Sequence, residues 1–370
     1  MKKLLYVTFE NFENNASGVA KKIRGHLKAF GDAGIACELL AVYGKNVALF
    51  SGVGAPDVLP VRLSARIALC AWAAEHAKAY DIAYIRFQFF CPFVQRMVKA
   101  FHDAGAKVIM EIPTYPYVPE LKRQGSRGVH KRMIDAAFRK TCARYIDRFA
   151  SPLHSEPILG KPCIEIRNGI DVDAVRSRKV RKDDGKIHLL AVAMMAPWHG
   201  YDRMIEGLAK YYQKNGEEDI VFHLVGWGPA SQGYAELACK YRLDDHVVQH
   251  GKLHGTELDA IYDLADVGVG SLAIHRIQLE RTNTLKILEY MAKGIPVICG
   301  YDEVSITSND PYRLAVPADE SPIDMDRVVQ FYRGIYAGKP TEEIIAAIRA
   351  ECRENCNVKA GLRGVLEFID

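Results

Sequence analysis

The chain has 370 residues, of which 49% are hydrophobic and 25% charged, which is typical of soluble globular proteins and long enough for two domains. No apolar run reaches the roughly 18 residues that a membrane span requires, and the apolar stretch after Lys3 is too short for a signal-peptide core. The nine cysteines have no paired spacing, which argues against a disulfide framework and favours free thiols. We therefore expect a cytoplasmic protein.

The charge is uneven along the chain, although the net charge is only +4. Residues 1–170 carry 25 Lys and Arg against 14 Asp and Glu, whereas residues 171–370 carry 24 against 31. A basic half joined to an acidic half indicates that the first half faces an anionic partner. Chance and solubility are the alternative explanation.

Apolar runs alternate with amphipathic stretches along the first half, a pattern typical of parallel α/β sheets. Strands are predicted at residues 2–9, 36–44, 82–87 and 107–112, helices at 19–33 and 92–104, and further short elements at 144–151 and 163–166. The charged stretch 176–186 has no apolar periodicity, so it predicts a linker or a surface loop.

The alternation begins again after residue 186. Strands are predicted at residues 187–194, 220–226, 246–251, 267–272 and 295–300, and helices at 200–215, 234–241, 256–264 and 285–293. Open parallel sheets bind ligands at the carboxyl ends of their strands. Two such sheets facing each other predict a cleft that holds a nucleotide-like ligand.

Two segments carry groups suited to phosphate and ribose. Gly18 opens a helix directly after residues 14–17, where free N–H groups favour anions, and an ordinary helix cap is the alternative. Lys286 and Glu289 share a helix face, because they are three positions apart in the sequence. A carboxylate there can accept two ribose hydroxyls and a lysine can meet a diphosphate, and a surface salt bridge is the alternative.

Five blocks follow one another in a recognisable order. They are RNGID at 167–171, WHGYDRMIEGL at 198–208, LVGWGP at 224–229, ADVGVGSL at 265–272 and KILEYMAKGIPVI at 286–298. Together they resemble the retaining glycosyltransferases of GT-B fold, specifically family four, "glycosyl transferases group 1". YIRFQFFCPF at 84–93 and KVIMEIPTYPY at 107–117 are similar to the members that build bacterial capsules and exopolysaccharides.

The resemblance implies two Rossmann-like domains, an acceptor-side domain at 1–172 and a nucleotide-sugar domain at 173–352, with residues 353–370 packing back on the first. It implies retaining transfer of a sugar from a nucleotide diphosphate sugar, with UDP-sugars favoured, to a hydroxyl of a glycan or lipid-linked glycan, without a metal ion or other cofactor. Protein cations and helix N-termini would stabilise the leaving diphosphate instead.

The resemblance also assigns the donor contacts. Glu289 would hold the ribose, the backbone at Gly251, Lys252 and Leu253 would read the base, and Gly18 would face the phosphates. The remaining contacts are expected at Gly226, Thr282, Asn283, Thr284 and Leu285, of which the threonines and Asn283 would offer backbone amides to the diphosphate and the sugar.

Several positions depart from the family pattern. Arg281 stands where the first glutamate of the E-x7-E motif is expected and Glu280 is one position off, so either the loop shifts or the sugar is held differently. Met194 and His199 replace the expected Arg and Lys clamp. We expect the lost positive charge to come from Arg281 and Lys286, with Arg276 and His199 as further candidates, whereas Arg203 is a structural alternative. The expected catalytic set is therefore Glu280, Arg281, Lys286 and His199. Thr114, Tyr115 and Tyr117 occupy the loop where the family carries a histidine.

The stretch Lys122–Arg148 predicts a basic amphipathic helix. Its apolar stripe, which includes Met133 and Ala137, is expected to face the core. Its cations could meet anionic lipid on the inner membrane face, where the resemblance implies lipid-linked acceptors. A solvated helix face is the alternative. Rival functions are a catalytically silent nucleotide-sugar module and a sugar-nucleotide epimerase. No nucleic-acid partner is expected, because the chain has no recognised motif or aromatic stacking platform.

Overall fold

A computed structural model describes residues 1–13, 18–52, 54–61, 64–118, 125–307 and 309–370. The chain forms two compact units. Unit 1 consists of residues 1–168 and 358–370, and unit 2 of residues 169–357. No helix of the described ranges is both long enough and apolar enough to cross a bilayer.

Unit 1 is built on an eight-stranded sheet whose strand order is β4-β3-β2-β1-β5-β6-β7-β8. Its strands are β1 (Lys3–Asn11), β2 (Ala36–Tyr43), β3 (Asn46–Ser51), β4 (Asp57–Leu59), β5 (Ile82–Arg86), β6 (Lys107–Glu111), β7 (Arg148–Pro152) and β8 (Cys163–Ile166). From β2 to β8 all neighbours are parallel, as predicted. The edge strands β3 and β4 are antiparallel instead, because a tight turn after Tyr43 returns the chain along β2.

Helices cover both faces of this sheet. They are α1 (Gly18–Asp32), α2 (Ala65–Glu75), α3 (Pro92–Asp103) and α4 (Gly125–Ala143). Pro92 begins α3 at the position where a missing N–H costs nothing, and Val94, Met97, Val98 and Phe101 form its buried face.

The predicted basic helix corresponds to α4, which ends well before Arg148, the first residue of β7. Lys122 and Arg123 lie outside the described residues. The expectation that the apolar stripe faces the core is wrong for Met133, which is 70% exposed, and for Ala137, which is also exposed. Met133 follows Val129 by one helical turn, and Val129 is 55% exposed, so both lie on the outer face of α4.

Unit 2 contains a six-stranded parallel sheet of order β11-β10-β9-β12-β14-β16 and a separate pair, β13-β15. The strands are β9 (Lys186–Val192), β10 (Asp219–Val225), β11 (Val247–Gly251), β12 (Val267–Val269), β13 (Arg281–Thr282), β14 (Val297–Cys299), β15 (Asp302–Glu303) and β16 (Arg313–Ala315). The helices are α5 (Tyr201–Gln213), α6 (Ser231–Lys240), α7 (Gly255–Leu264), α8 (Leu285–Lys293), α9 (Met325–Tyr336) and α10 (Thr341–Asn355).

The charged stretch 176–186 is not a linker, because it packs on unit 2. Arg178 is 3% exposed, its N–H donates to the carbonyl of Lys293 (2.9 Å) and its guanidinium donates to the hydroxyl of Tyr336 (2.8 Å). Its long aliphatic stem is therefore buried while the charged head finds a partner. The sequence of this stretch has no apolar periodicity, so it does not predict this packing.

The C-terminal residues belong to unit 1, where they form α11 (Val358–Gly361) and α12 (Arg363–Ile369). Leu362, Val365 and Ile369 are fully buried in the same apolar cluster as Leu4 and Ile166. Burial of such side chains contributes about 2 kcal/mol each, so this short segment is firmly attached.

A chain of three imidazoles crosses the unit 2 sheet. His188 Nδ1 lies 2.8 Å from His223 Nε2, and His223 Nδ1 lies 2.9 Å from His250 Nε2. His188 Nε2 lies 3.1 Å from Asp184, a carboxylate that can only accept. The neutral chain therefore has one hydrogen-bond direction, in which His250 donates to His223, His223 to His188, and His188 to Asp184. It ends beside Gly251.

The three hydrogen-bonded histidines predict that the fold loses stability in acid. Burial lowers the pKa of His223 to about 4, with His188 and His250 adding to the effect. Its pKa is about 6.5 in the unfolded chain. Below pH 6.5 the unfolded state therefore takes up a proton that the folded state refuses, and the free energy of unfolding falls as the pH drops towards 4. Between pH 7 and 4.5, the free energy of unfolding of the wild type should fall by about 2 kcal/mol more than that of His223→Leu, as measured by urea titrations at each pH. Equal pH slopes would contradict this.

Candidate active site

The loops after β9 and β10 touch each other through glycines. Gly226 has φ +116°, and a Cβ at this residue would lie 1.9 Å from the carbonyl oxygen of Ala193. At Gly228, a Cβ would lie 2.2 Å from the oxygen of Met195. No other residue type fits either position without moving the backbone. The Gly226 N–H donates to the carbonyl of Gly251 (2.6 Å), which joins this turn to the end of β11.

The loop expected to read the base begins at this junction. Gly251 has φ +69°, and a Cβ at this residue would meet no neighbouring side chain or backbone within 4 Å, so the side of the backbone where a Cβ would stand faces open space. Lys252 is exposed, whereas Leu253 is half-buried against the apolar cluster that includes α8. The three residues thus place backbone groups and one cation at the carboxyl end of the sheet.

Helix α8 begins at Leu285, which is 50% exposed. Thr284 precedes the helix in an extended conformation (φ −95°, ψ 134°), but its side chain makes no hydrogen bond to the first turn. The N–H groups at the start of α8 therefore have no side-chain cap, and they carry the positive end of the helix dipole. The glycine that ends the helix, Gly294, has φ +81°.

Lys286 points from this first turn towards two hydroxyls. Its Nζ lies 3.4 Å from Ser271 Oγ and 3.5 Å from Tyr201 Oη. Within the described ranges no carboxylate forms an ion pair with it, and burial lowers the pKa of Lys286 to about 7. A lysine in this state gains most from an anionic ligand.

His199 is the second polar group beside Lys286. Its Nδ1 accepts the N–H of Ala196 (2.9 Å), so the proton of the neutral ring is on Nε2. Burial and the nearby Lys286 lower the pKa of His199 to about 3, so the ring is neutral at physiological pH. His199 therefore does not supply the expected positive charge, but its ring can act as a neutral donor through Nε2–H.

The arginines near this site are engaged elsewhere. Arg276 donates to both oxygens of Asp202 (3.1 and 2.7 Å) and to Glu320, and these two carboxylates raise its pKa. The suggestion that Arg276 supplies charge to the ligand is therefore wrong, because its charge is already matched. Arg203 is 1% exposed and donates to the carbonyls of Leu272 and other loop residues, so it is structural.

Glu289 lies one turn after Lys286 and faces α7. Burial raises the pKa of Tyr262, and hydrogen bonding to Glu289 adds to this. The Glu289 carboxylate is half-buried, so it retains a solvent-facing side. A surface salt bridge between Lys286 and Glu289, the alternative explanation of the pair, is absent among the described ion pairs.

The loop that leads into α8 is tied to the segment after β14. Glu280 and Arg281 have exposed side chains, while the carbonyl of Glu280 accepts the N–H of Asp302 (3.0 Å). Asn283 is 7% exposed and donates from Nδ2 to Glu303 (2.9 Å). The N–H of Thr284 also donates to Glu303, so this amide is unavailable to a ligand, contrary to expectation.

Sequence reasoning missed Glu303, although it organises this loop. The residue is 0% exposed and its carboxylate also accepts the N–H of Ser305 (3.2 Å). Only the two-residue pairing of β13 with β15 brings it next to Thr282, and a strand that short leaves no periodic signal.

In unit 1 a buried carboxylate stands at the end of β6. Glu111 is 0% exposed and contacts Arg86, with Lys22 Nζ at 3.6 Å and the hydroxyl of Tyr6 at 3.1 Å. Although burial opposes ionisation, Lys22 and Arg86 lower the pKa of Glu111 to about 2. Gly18 begins α1, as expected, but the rest of its predicted loop, residues 14–17, lies outside the described residues.

In unit 1, the loop after β6 packs against the loop after β7. Thr114 is exposed and Tyr117 buried in the loop after β6, and the ring of His154, from the loop after β7, packs on Tyr115 with centroids 4.4 Å apart.

Over the part of the chain that the structure describes, no cluster of three or more His, Cys, Asp or Glu could hold a metal ion.

Residues 186–319 match the family model described as glycosyl transferases group 1. This match spans the loops that carry Gly226 and Gly251 and the helix that carries Lys286 and Glu289. No curated protein matches the chain.

Solved structures share the fold over the whole chain. A glycosyltransferase from Rickettsia africae ESF-5 is 14% identical with a TM-score of 0.62, covering 100% of this chain and 97% of that one. The Anabaena protein HepE in complex with UDP is 14% identical with a TM-score of 0.58 (100% and 99%). The catalytic domain of starch synthase IV from Arabidopsis thaliana, bound to ADP and acarbose, is 12% identical with a TM-score of 0.63 (100% and 98%). These structures confirm the predicted GT-B α/β fold. The predicted enzyme class, a glycosyltransferase, is supported by the family match over residues 186–319.

Proposed function

We propose that the protein is a retaining glycosyltransferase that moves a sugar from a UDP-sugar to an acceptor hydroxyl. The observation that carries this proposal is the start of α8, where Lys286 has no carboxylate partner among the described residues and the helix N–H groups have no side-chain cap. Both features favour a bound diphosphate. The group 1 match over residues 186–319 supports the same site.

Three groups of this chain would stabilise the leaving diphosphate. Lys286 is charged when an anion is bound, because the anion raises its lowered pKa. The first-turn N–H groups of α8 donate to the same phosphate oxygens. His199 offers its Nε2–H as a neutral donor. Such prearranged donors act where charge develops in the transition state, so no metal ion is needed in this scheme.

The transfer breaks the bond between the anomeric carbon and the diphosphate oxygen, whose electrons leave with UDP. The acceptor oxygen bonds to the same face of the anomeric carbon, and its proton passes to the departing phosphate oxygen. Glu280 and Arg281, exposed on the loop before α8, are the residues that we assign to the transferred sugar.

The nucleoside half of the donor would occupy the other end of the site. We assign the ribose to Glu289, whose carboxylate can accept two hydroxyls, and the base to the backbone of Gly251, Lys252 and Leu253. UDP is the favoured nucleotide, a choice supported by HepE of Anabaena, which was solved with UDP. The surface-polysaccharide role and a glycan or lipid-linked glycan acceptor belong to the same proposal.

A transfer assay separates this function from its rivals. The UDP-, GDP- or dTDP-sugar that most stabilises the protein in a thermal screen is incubated with glycan acceptors, and the product is followed by proton NMR. We expect a glycoside with the anomeric configuration of the donor. An inverted product would refute retention. Binding without transfer or donor hydrolysis would favour the silent module, and an epimerised donor would favour the epimerase.

The pH dependence of donor binding tests the role of Lys286. Because its pKa is about 7 without ligand, binding requires proton uptake above pH 7. The dissociation constant of the selected nucleotide sugar should therefore rise roughly ten-fold between pH 7 and 8.5 by calorimetry. Lys286→Met should bind weakly and without this slope, whereas Lys210→Met, an exposed lysine on α5, should behave like the wild type. An unchanged slope in Lys286→Met would exclude the assignment.

The outer face of α4 supports contact with an anionic membrane surface. Val129 and Met133 are exposed one turn apart, and Lys131, Arg132 and Lys140 lie on the same helix. Apolar side chains among cations are typical of helices that lie on anionic bilayers, where each cation contributes about 1 kcal/mol.

Flotation with liposomes tests this surface. At low salt the wild type should float with vesicles that contain anionic lipid, and the double change Val129→Ser, Met133→Ser should reduce the bound fraction several-fold, because the apolar contact is lost. Ile67→Ser provides the control, since Ile67 is 41% exposed on α2. If the wild type stays at the bottom of the gradient, the membrane contact is wrong.

A further inference from the structure

Thr284 stands in the capping position of α8 without capping it. Its backbone angles (φ −95°, ψ 134°) are those that capping residues adopt, and threonine is among the residues that cap well. Its hydroxyl, however, makes no hydrogen bond to the first turn and lies 2.7 Å from the hydroxyl of Tyr301. The backbone conformation of Thr284 is therefore compatible with a cap, and its hydroxyl is engaged by Tyr301 instead.

Glu303 keeps the Thr284 hydroxyl on Tyr301, away from the first turn of α8. Its Oε2 accepts the hydroxyl of Tyr301 (3.4 Å) and the N–H of Thr284 (3.2 Å). Its Oε1 accepts Nδ2 of Asn283 (2.9 Å) and the N–H of Ser305 (3.2 Å). With Tyr301 donating to the carboxylate, the phenol oxygen is left to accept from the Thr284 hydroxyl, so the three groups form one directed chain.

This arrangement lowers the stability of the fold in two ways. Glu303 is fully buried, and burial raises its pKa, because removing a carboxylate from water is unfavourable. The helix also forgoes a cap that threonine normally supplies. Such a cap would occupy an N–H of the second or third helical residue, Lys286 or Ile287. The same N–H groups are those that the proposed function assigns to the diphosphate.

We propose that Tyr301 and Glu303 are positioning residues that turn the Thr284 hydroxyl away from α8 and so keep the first-turn N–H groups open for the donor diphosphate. This inference rests on the proposed function of the site. Tyr301 is 5% exposed and Glu303 is 0% exposed, so both act through Thr284 rather than on the ligand.

A double-mutant cycle tests the proposal. Tyr301→Phe removes the hydroxyl that holds Thr284, together with its hydrogen bond to Glu303, so Thr284 becomes free to cap the helix and to compete with the diphosphate. We expect the dissociation constant of the selected UDP-sugar to rise about five-fold, the factor that corresponds to one ordinary cap. In a Thr284→Ala background no competing cap exists, so adding Tyr301→Phe should change the dissociation constant less than about two-fold. Equal effects of Tyr301→Phe in both backgrounds would overturn the proposal.

Folding and specificity are controlled separately. Urea unfolding of Tyr301→Phe should show a midpoint no lower than that of Tyr312→Phe, a change to a half-buried tyrosine of the same region that should leave donor binding unaltered. Tyr301→Met serves as the second variant if the phenylalanine form does not fold. Should the wild type bind no nucleotide sugar, the proposed function fails. If the wild type binds and Tyr301→Phe binds equally well, only the positioning role fails.

Discussion

A half-buried ammonium group without a carboxylate partner among the described residues is the constraint on which the account of unit 2 depends. Burying a cation is unfavourable unless it is paired, and proteins usually respond by pairing it or by lowering its pKa. Lys286 shows the second response. It lies on the first turn of α8, where the helix dipole already disfavours a positive charge. A bound diphosphate, as proposed, would relieve both effects together, so the unfavourable burial of this cation would contribute to binding energy.

Neighbouring charges make the point by contrast. Arg276 is matched by Asp202 and Glu320, and Arg203 is surrounded by carbonyls and Asp319. Their pairing fixes the loops around the site, whereas Lys286 has no carboxylate partner among the described residues. His199 adds a hydrogen-bond donor but no charge, because its ring is neutral. It therefore does not repel the protonated form of Lys286.

The sequence predicted the regular parts of unit 2 well, because each has a local cause. Helix α8 spans residues 285–293 as expected, since its apolar spacing and the glycine at 294 are local signals. Glu303 could not be predicted, because its role depends on the register of a two-residue strand pair. Likewise, the roles of Arg276 and Met133 depend on what packs beside them, which periodicity alone does not determine.

A crystal structure of the protein with UDP tests the central claim most directly. The account predicts that the β-phosphate lies at the start of α8, within hydrogen-bond distance of Lys286 Nζ and of the first-turn N–H groups, with the Thr284 hydroxyl still on Tyr301. UDP bound with its diphosphate away from α8, or with Lys286 still on Tyr201 and Ser271, would contradict it.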